Sequence, residues 1–235
     1  MAWWAEVPTL ERPVDLVRDQ GRGGDLATSS GDEHSSHAVA ARRILIIQGH
    51  PDSEAPHFCH ALGRSYGEGA ASALHEVQTL DVARLVFPLL RSKREWETGP
   101  LPASLLAPQQ ALAWAEHLVF FFPLWLGDMP ALLKGFLEQV ARPGFAVPAA
   151  TQGSAAATKM LSGRSARVVV TMGMPASIYR WYFQAHSVKS LERNVLGYIG
   201  IAPVHRTLVG GVEEMSDARR AKWLATLRDL GARGE

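Results

Sequence analysis

One cysteine, Cys59, stands among 235 residues, so an intramolecular disulfide cannot form and a cysteine-rich metal site is excluded. Neither sign of charge is in excess. The formal net charge of +1 gives no general attraction to nucleic acid or to an anionic membrane. Long apolar runs are also missing. The most apolar stretch, Leu118 to Leu126, is broken by Pro123 and falls well short of the ~18–20 residues that a membrane-spanning helix requires. There is no G-x-G-x-x-G and no phosphate-loop lysine, so the usual dinucleotide and triphosphate cradles are absent. These absences lead to the expectation of a soluble, cytoplasmic protein.

What is present suits a packed globule: 47% of the residues are apolar and 20% charged. Residues 1–41 stand apart. They carry Trp3 and Trp4, scattered acidic side chains and a Gly-, Ser- and His-rich tract, with no basic start leading into an apolar segment. The expectation is a poorly ordered N-terminal extension, not a secretory signal, followed by one folded domain over residues 42–235.

From Arg43 the pattern is regular. Ile44–Ile47 reads as a buried strand, and Phe58, Ala61, Leu62 and Tyr66 fall at helical spacing. Gly63, Gly67 and Gly69 weaken that helix by up to ~1 kcal/mol each relative to Ala. Further strands are expected at Glu76–Val82, His117–Phe122, Arg167–Thr171 and Val204–Val209. Helices are expected over Ser104–Glu116, from Pro130 through Val140, over Ser187–Tyr198 and at the C-terminal end. Residues 83–103 read as irregular, because Pro88, Gly99, Pro100 and Pro102 interrupt them. Strands alternating with helices predict an α/β fold with an open parallel sheet. Ligands of such sheets bind outside the carboxyl ends of the strands, which directs attention to the loops after the first, third and fourth.

The first of these, GHPDSEAPHF, offers a helix N-terminus with His50 and Ser53 as further donors for a phosphate. His50, His57 and His60 also suggest a metal cluster, but no carboxylate pattern or spaced cysteine accompanies them, so no metal is expected. The second, FFFPLWLGDMPALLKG, exposes Leu124 and Trp125 after an apolar strand. A flat heteroaromatic ring could lie there, or Trp125 could simply fill the gap between helix and sheet. The third, TMGMPASIYRWYFQAH, gathers Tyr179, Trp181, Tyr182 and His186, either as a pocket wall with proton-handling groups or as core.

Taken together, the segments IIQGHPDS, PLWLGDMPALLKGF and VVVTMGMP, with Tyr179 eight residues after Thr171, resemble the NAD(P)H:quinone oxidoreductase family of flavodoxin-like flavoproteins. The match is to the compact bacterial type, which includes ancillary reductases of potassium-efflux systems. The resemblance covers about residues 43–210, and its middle motif is the most specific. It implies a flavodoxin-like three-layer fold with a five-stranded parallel sheet in the order 2-1-3-4-5. It also implies a flavin (FAD or FMN), with NADPH or NADH as co-substrate. Hydride would pass through the flavin to a quinone-type acceptor in a ping-pong scheme.

Carried over by position, His50, Ser53, His57 and Phe58 are implied to hold the flavin from the first loop. Pro123, Leu124, Trp125 and Leu126 would run along its ring. Thr171, Met172, Gly173 and Met174 would meet the ring's polar edge. Tyr179 and His186 would be catalytic. The family's usual S-F-N phosphate segment is replaced here by His57, Phe58 and Cys59, with His57 able to act as a charge-assisted donor. A homodimer is implied, and no nucleic-acid partner. The alternative reading is a regulatory subunit of a membrane cation/proton antiporter, peripheral at the inner membrane face. A one-electron flavodoxin carrier is disfavoured by the lack of an acidic excess.

Overall fold

The computed structural model describes residues 40–148 and 160–235; the expected N-terminal extension, with Trp3 and Trp4, lies almost wholly outside the described residues. Five strands, β1 (Arg43–Gln48), β2 (Glu76–Asp81), β3 (His117–Pro123), β4 (Ser165–Met172) and β5 (Val204–Gly210), form one sheet in the order β2-β1-β3-β4-β5, and every pairing is parallel. The order agrees with the one implied by the family resemblance. All seven residues of β3 are buried, as a central strand covered on both faces demands.

Side chains alternate along each strand, so the sheet feeds two cores. Ile44, Ile46, Val119, Phe121 and Val169 point to one face, where they meet Leu62 and Tyr66 of α1 (Phe58–Ser72) and Leu227 and Leu230 of α8 (Asp217–Ala232). Leu45, Ile47, Phe120, Val168 and Val170 point to the other. There they pack on Leu112 of α3 (Leu106–Trp114), Phe136 of α4 (Ala131–Val140) and Leu191.

The glycines that weaken α1 on propensity have a packing role. A Cβ on Gly69 would lie 1.9 Å from the Arg228 carbonyl oxygen, and one on Gly231 would lie 2.0 Å from that of Tyr66. The two helices therefore touch backbone to backbone, which only glycine permits at these points.

Two segments differ from expectation. Within 83–103 a short helix, α2 (Lys93–Thr98), forms. Ser92 caps it by accepting from the Glu95 amide at 3.1 Å, and the Glu95 carboxylate accepts from the Arg91 amide at 3.0 Å. The third loop also folds into a helix, α5 (Ala176–Trp181), directly after Pro175. The helix expected from Ser187 begins one residue earlier as α6 (His186–Ser190). It widens into a π-turn over Leu191–Leu196 and ends as α7 (Gly197–Ile199), where Gly200 takes φ 106°. Among the described residues no helix is long and apolar enough to cross a membrane.

Candidate functional site

A cleft of about 460 Å³ opens at the carboxyl ends of β1, β3, β4 and β5. Its first wall is the turn after β1. There the Asp52 amide donates to His50 Nδ1 at 3.1 Å, which leaves the proton of the neutral ring on Nε2. The Asp52 carboxylate accepts from the amides of Glu54 (2.8 Å) and Ala55 (3.3 Å) and meets His57 Nε2 at 2.8 Å. That last contact, above all, holds Asp52 down to a pKa of about 2. His57 in turn stacks on His50, ring centroids 3.7 Å apart, and His60 stands edge-on to His50 at 5.1 Å.

Burial lowers the pKa of His50, and the neighbouring His57 and His60 lower it further. The same burial lowers His60. Helix α1 begins beside this cluster with no side-chain cap, so its first-turn amides have no intrahelical partner.

The second wall follows β3. Trp125 and Asp128 exchange backbone hydrogen bonds at 2.8 and 2.9 Å. The turn tip lies at Leu126 (φ 46°) and Gly127 (φ 80°). This hairpin-like turn holds Trp125 beside Pro123 and Leu124 on the cleft, with its ring 6.1 Å from that of His50 and edge-on to it. It remains 51% exposed.

The third wall is the end of β4. Thr171, buried, is hydrogen-bonded to the Cys59 thiol, whose pKa burial pushes up to about 12. Met172 and Gly173 continue the lining. A Cβ at Gly173 would come within 2.9 Å of the Glu213 carboxylate.

Glu213 belongs to a fourth wall, the loop after β5. Its Val212 amide donates to the Met172 carbonyl at 3.2 Å. Arg220 ties the loop down, donating to the carbonyls of Val212 (2.6 Å) and Met215 (3.2 Å), with its guanidinium 5.1 Å from the Phe58 ring.

The structure thus brings His50, His57, Phe58, Pro123, Leu124, Trp125, Thr171, Met172 and Gly173 to one cleft. Other expected residues do not join them. Ser53 sits in the first turn but does not line the cleft. Leu126 points outward, 92% exposed, because it occupies the turn tip. Met174 is buried among core side chains.

Tyr179 also lies away from the cleft lining. Its phenol is 2% exposed, bonds the Ser187 hydroxyl at 2.6 Å and accepts from the Val188 amide at 3.3 Å. Burial raises its pKa. The short helix α5 turns it inward, where it latches α5 to α6. His186 is exposed at the start of α6 and does not line the cleft either. Asp52, Cys59, Val212 and Glu213 were missed. The signal for the last two is the pair Gly210-Gly211 directly after a strand, at the same sheet end as the other loops.

The family described as having a flavodoxin-like fold matches residues 42–230. A Penicillium crustosum protein named ribosyldihydronicotinamide dehydrogenase-like protein traD is 26% identical over 155 residues, 56% of this chain and 57% of that one. The chain therefore spans little more than half the length of this curated relative. A Haemophilus influenzae protein named as an uncharacterized NAD(P)H oxidoreductase is 24% identical over 188 residues, 75% of this chain and 87% of that one. Among solved structures, the NAD(P)H:quinone oxidoreductase of Methanothermobacter marburgensis superposes with a TM-score of 0.69 at 24% identity, covering 83% of this chain and 97% of that one. With the sheet order and the family match in agreement, the chain belongs to the flavodoxin-like fold family.

Proposed function

We propose that the protein is a flavin-dependent NAD(P)H oxidoreductase that delivers hydride to a quinone or a similar acceptor. The observation that carries this reading is the convergence of three sequence-distant loops on one cleft, whose lining joins polar donors to apolar and aromatic side chains. Their chemistry fits a flavin. The uncapped start of α1 and the Nε2 of His50 offer donors for a phosphate. Pro123, Leu124 and Trp125 offer a flat apolar wall for a ring. The main chain at Met172 and Gly173 borders the opposite edge. When bound, the flavin supplies the hydride acceptor and donor of the reaction.

The protein's own residues then position and balance charge. A phosphate beside Asp52 would be repelled by an unpaired carboxylate, and His57 counters that repulsion through its 2.8 Å contact. His50, held neutral, donates without adding a charge that must be desolvated. Arg220 fixes the fourth wall, which holds Glu213 beside Gly173. Trp125 and Leu126, exposed on the turn after β3, support pairing of two copies there, which sedimentation would read as a dimer.

The test is direct. The purified protein should show a flavin absorption spectrum, release FMN or FAD on denaturation, and consume NADH or NADPH with a soluble quinone. A colourless protein that takes up neither FMN nor FAD would overturn the reading.

A further inference from the structure

A second recess, of about 810 Å³, lies between α5, the start of α6 and β5. Its volume falls in the range of small-molecule sites, and three cations line it: Arg180, Lys189 and Arg206. Arg206 is paired with Glu192 at 3.1 Å. Among the described residues neither Arg180 nor Lys189 is in an ion pair, although the Glu192 carboxyl acts on Lys189 as well as on Arg206 and Arg193. In a chain whose net charge is only +1, this is a concentrated positive patch. Trp181, also lining the recess, is 71% exposed, with the Arg180 guanidinium 5.6 Å from its ring. An exposed indole beside a cation offers a stacking platform for another flat ring.

The backbone at the rim is strained in a way that builds the recess. Gln184 and Ala185, neither of them glycine, take φ of 55° and 50°, a conformation that costs energy and persists only where neighbours enforce it. The Ala185 amide donates to the Tyr179 carbonyl at 3.0 Å and Gln184 Nε2 to the Trp181 carbonyl at 2.7 Å. This tight turn folds α6 back beside α5 and puts Lys189 on the same recess as Arg180 and Trp181. The recess also lies close to the cleft along the chain. Gly173 lines one cavity and Ala176 the other, and three residues span at most ~11 Å. That separation is within the length of an extended dinucleotide.

We propose that this recess holds the phosphorylated adenosine end of the nicotinamide nucleotide, and that its cations favour the 2′-phosphorylated form, NADPH. The assignment rests on the reductase reading for the identity of the whole ligand. The adenine stacks on Trp181, and the 2′-phosphate sits among Arg180, Lys189 and Arg206.

The assignment is tested by calorimetric titration of the purified protein with adenosine 2′,5′-bisphosphate and with 5′-AMP, alongside steady-state kinetics. The bisphosphate should bind at least tenfold more tightly than 5′-AMP, and increasingly weakly as salt rises. The double variant Arg180→Ala, Lys189→Ala should lose that preference, and its KM for NADPH should rise at least tenfold more than its KM for NADH. The charge-keeping pair Arg180→Lys, Lys189→Arg should restore bisphosphate binding, which a merely structural role would not predict. Absence of bisphosphate binding in a protein that still reduces quinone would overturn the recess assignment alone, as would equal KM changes for both nucleotides. Bisphosphate binding in a protein without flavin would uphold the recess as a nucleotide site and remove the reductase reading.

Discussion

At the amino ends of the strands, Arg42 donates to the Gly234 carbonyl (2.6 Å) and to the Ser165 hydroxyl (2.8 Å). Arg167 donates to the Glu235 carbonyl (2.8 Å) and to Thr207 (3.0 Å), and Arg164 to the carbonyls of Ala115 (3.0 Å) and Ala113 (2.7 Å). His117 meets Ser165 there at 2.7 Å. At the carboxyl ends, His50, His57 and Trp125 border an open cleft, beside a helix start whose amides lack a side-chain cap. Both ends are rich in the same kinds of side chain. At one end the arginine donors are taken by the protein's own carbonyls and hydroxyls, so they act as scaffold. At the other, donors remain for a ligand. Residue type alone does not mark a functional site; hydrogen-bonding capacity left facing an open cleft does.

The largest effect should come from the scaffold end. Arg167→Met removes two charge-assisted hydrogen bonds at a buried position and should cost about 3 kcal/mol of stability, read by urea unfolding. Flavin affinity of the folded variant should not change. A loss of flavin with stability intact would erase the distinction between the two ends.

His117 gives a second test of the scaffold end, through pH. Burial, above all, lowers its pKa from 6.5 to about 3, so the folded protein leaves it neutral where the unfolded chain protonates it. Stability is therefore intact above pH 6.5 and is lost as the pH falls towards 3, at ~1.4 kcal/mol per unit. Between pH 7 and pH 4.5 the wild-type protein should lose roughly 2–3 kcal/mol more than His117→Asn, which cannot take up that proton. Parallel losses in the two proteins would show that His117 titrates normally.

The same contrast explains how much could be read in advance. The central strands were legible because a sheet covered on both faces demands continuous apolar runs such as Leu118–Phe122. The motif residues of the cleft were legible because parallel topology sends successive βα loops to one end. Orientation was not. Counting eight residues from Thr171 reaches Tyr179 but does not say that α5 rotates it into the core. Glu213 was missed because only the loops after the first, third and fourth strands were weighed. Helix α2 was missed because none of its six residues is fully buried, which leaves no apolar stripe to read. Gly69 reads as a defect in α1, since its purpose depends on the Arg228 backbone, 159 residues away along the chain.

At the cleft, His57→Ala should weaken flavin binding about tenfold, equivalent to ~1.4 kcal/mol. It removes the hydrogen-bond partner of the Asp52 carboxylate and a donor from the phosphate end. Fluorescence titration of the apoprotein with FMN and FAD measures it. Asp52→Asn in the His57→Ala background should recover part of the loss, because the repelling carboxylate is then gone. No recovery would mean that His57 acts only as a direct donor.

The smallest effect separates the two roles at a single residue. Tyr179 was expected at the ring's edge as a catalytic group, yet its hydroxyl spends its hydrogen bonds on Ser187 and the Val188 amide inside the α5–α6 junction. By its geometry it belongs with the scaffold, although it follows a strand's carboxyl end. Tyr179→Phe should therefore cost about 1 kcal/mol of stability, read by urea unfolding, and leave quinone turnover per bound flavin unchanged. If turnover falls tenfold or more while stability holds, the phenol leaves its latch during the reaction, and the boundary drawn between spent and unspent donors shifts with it.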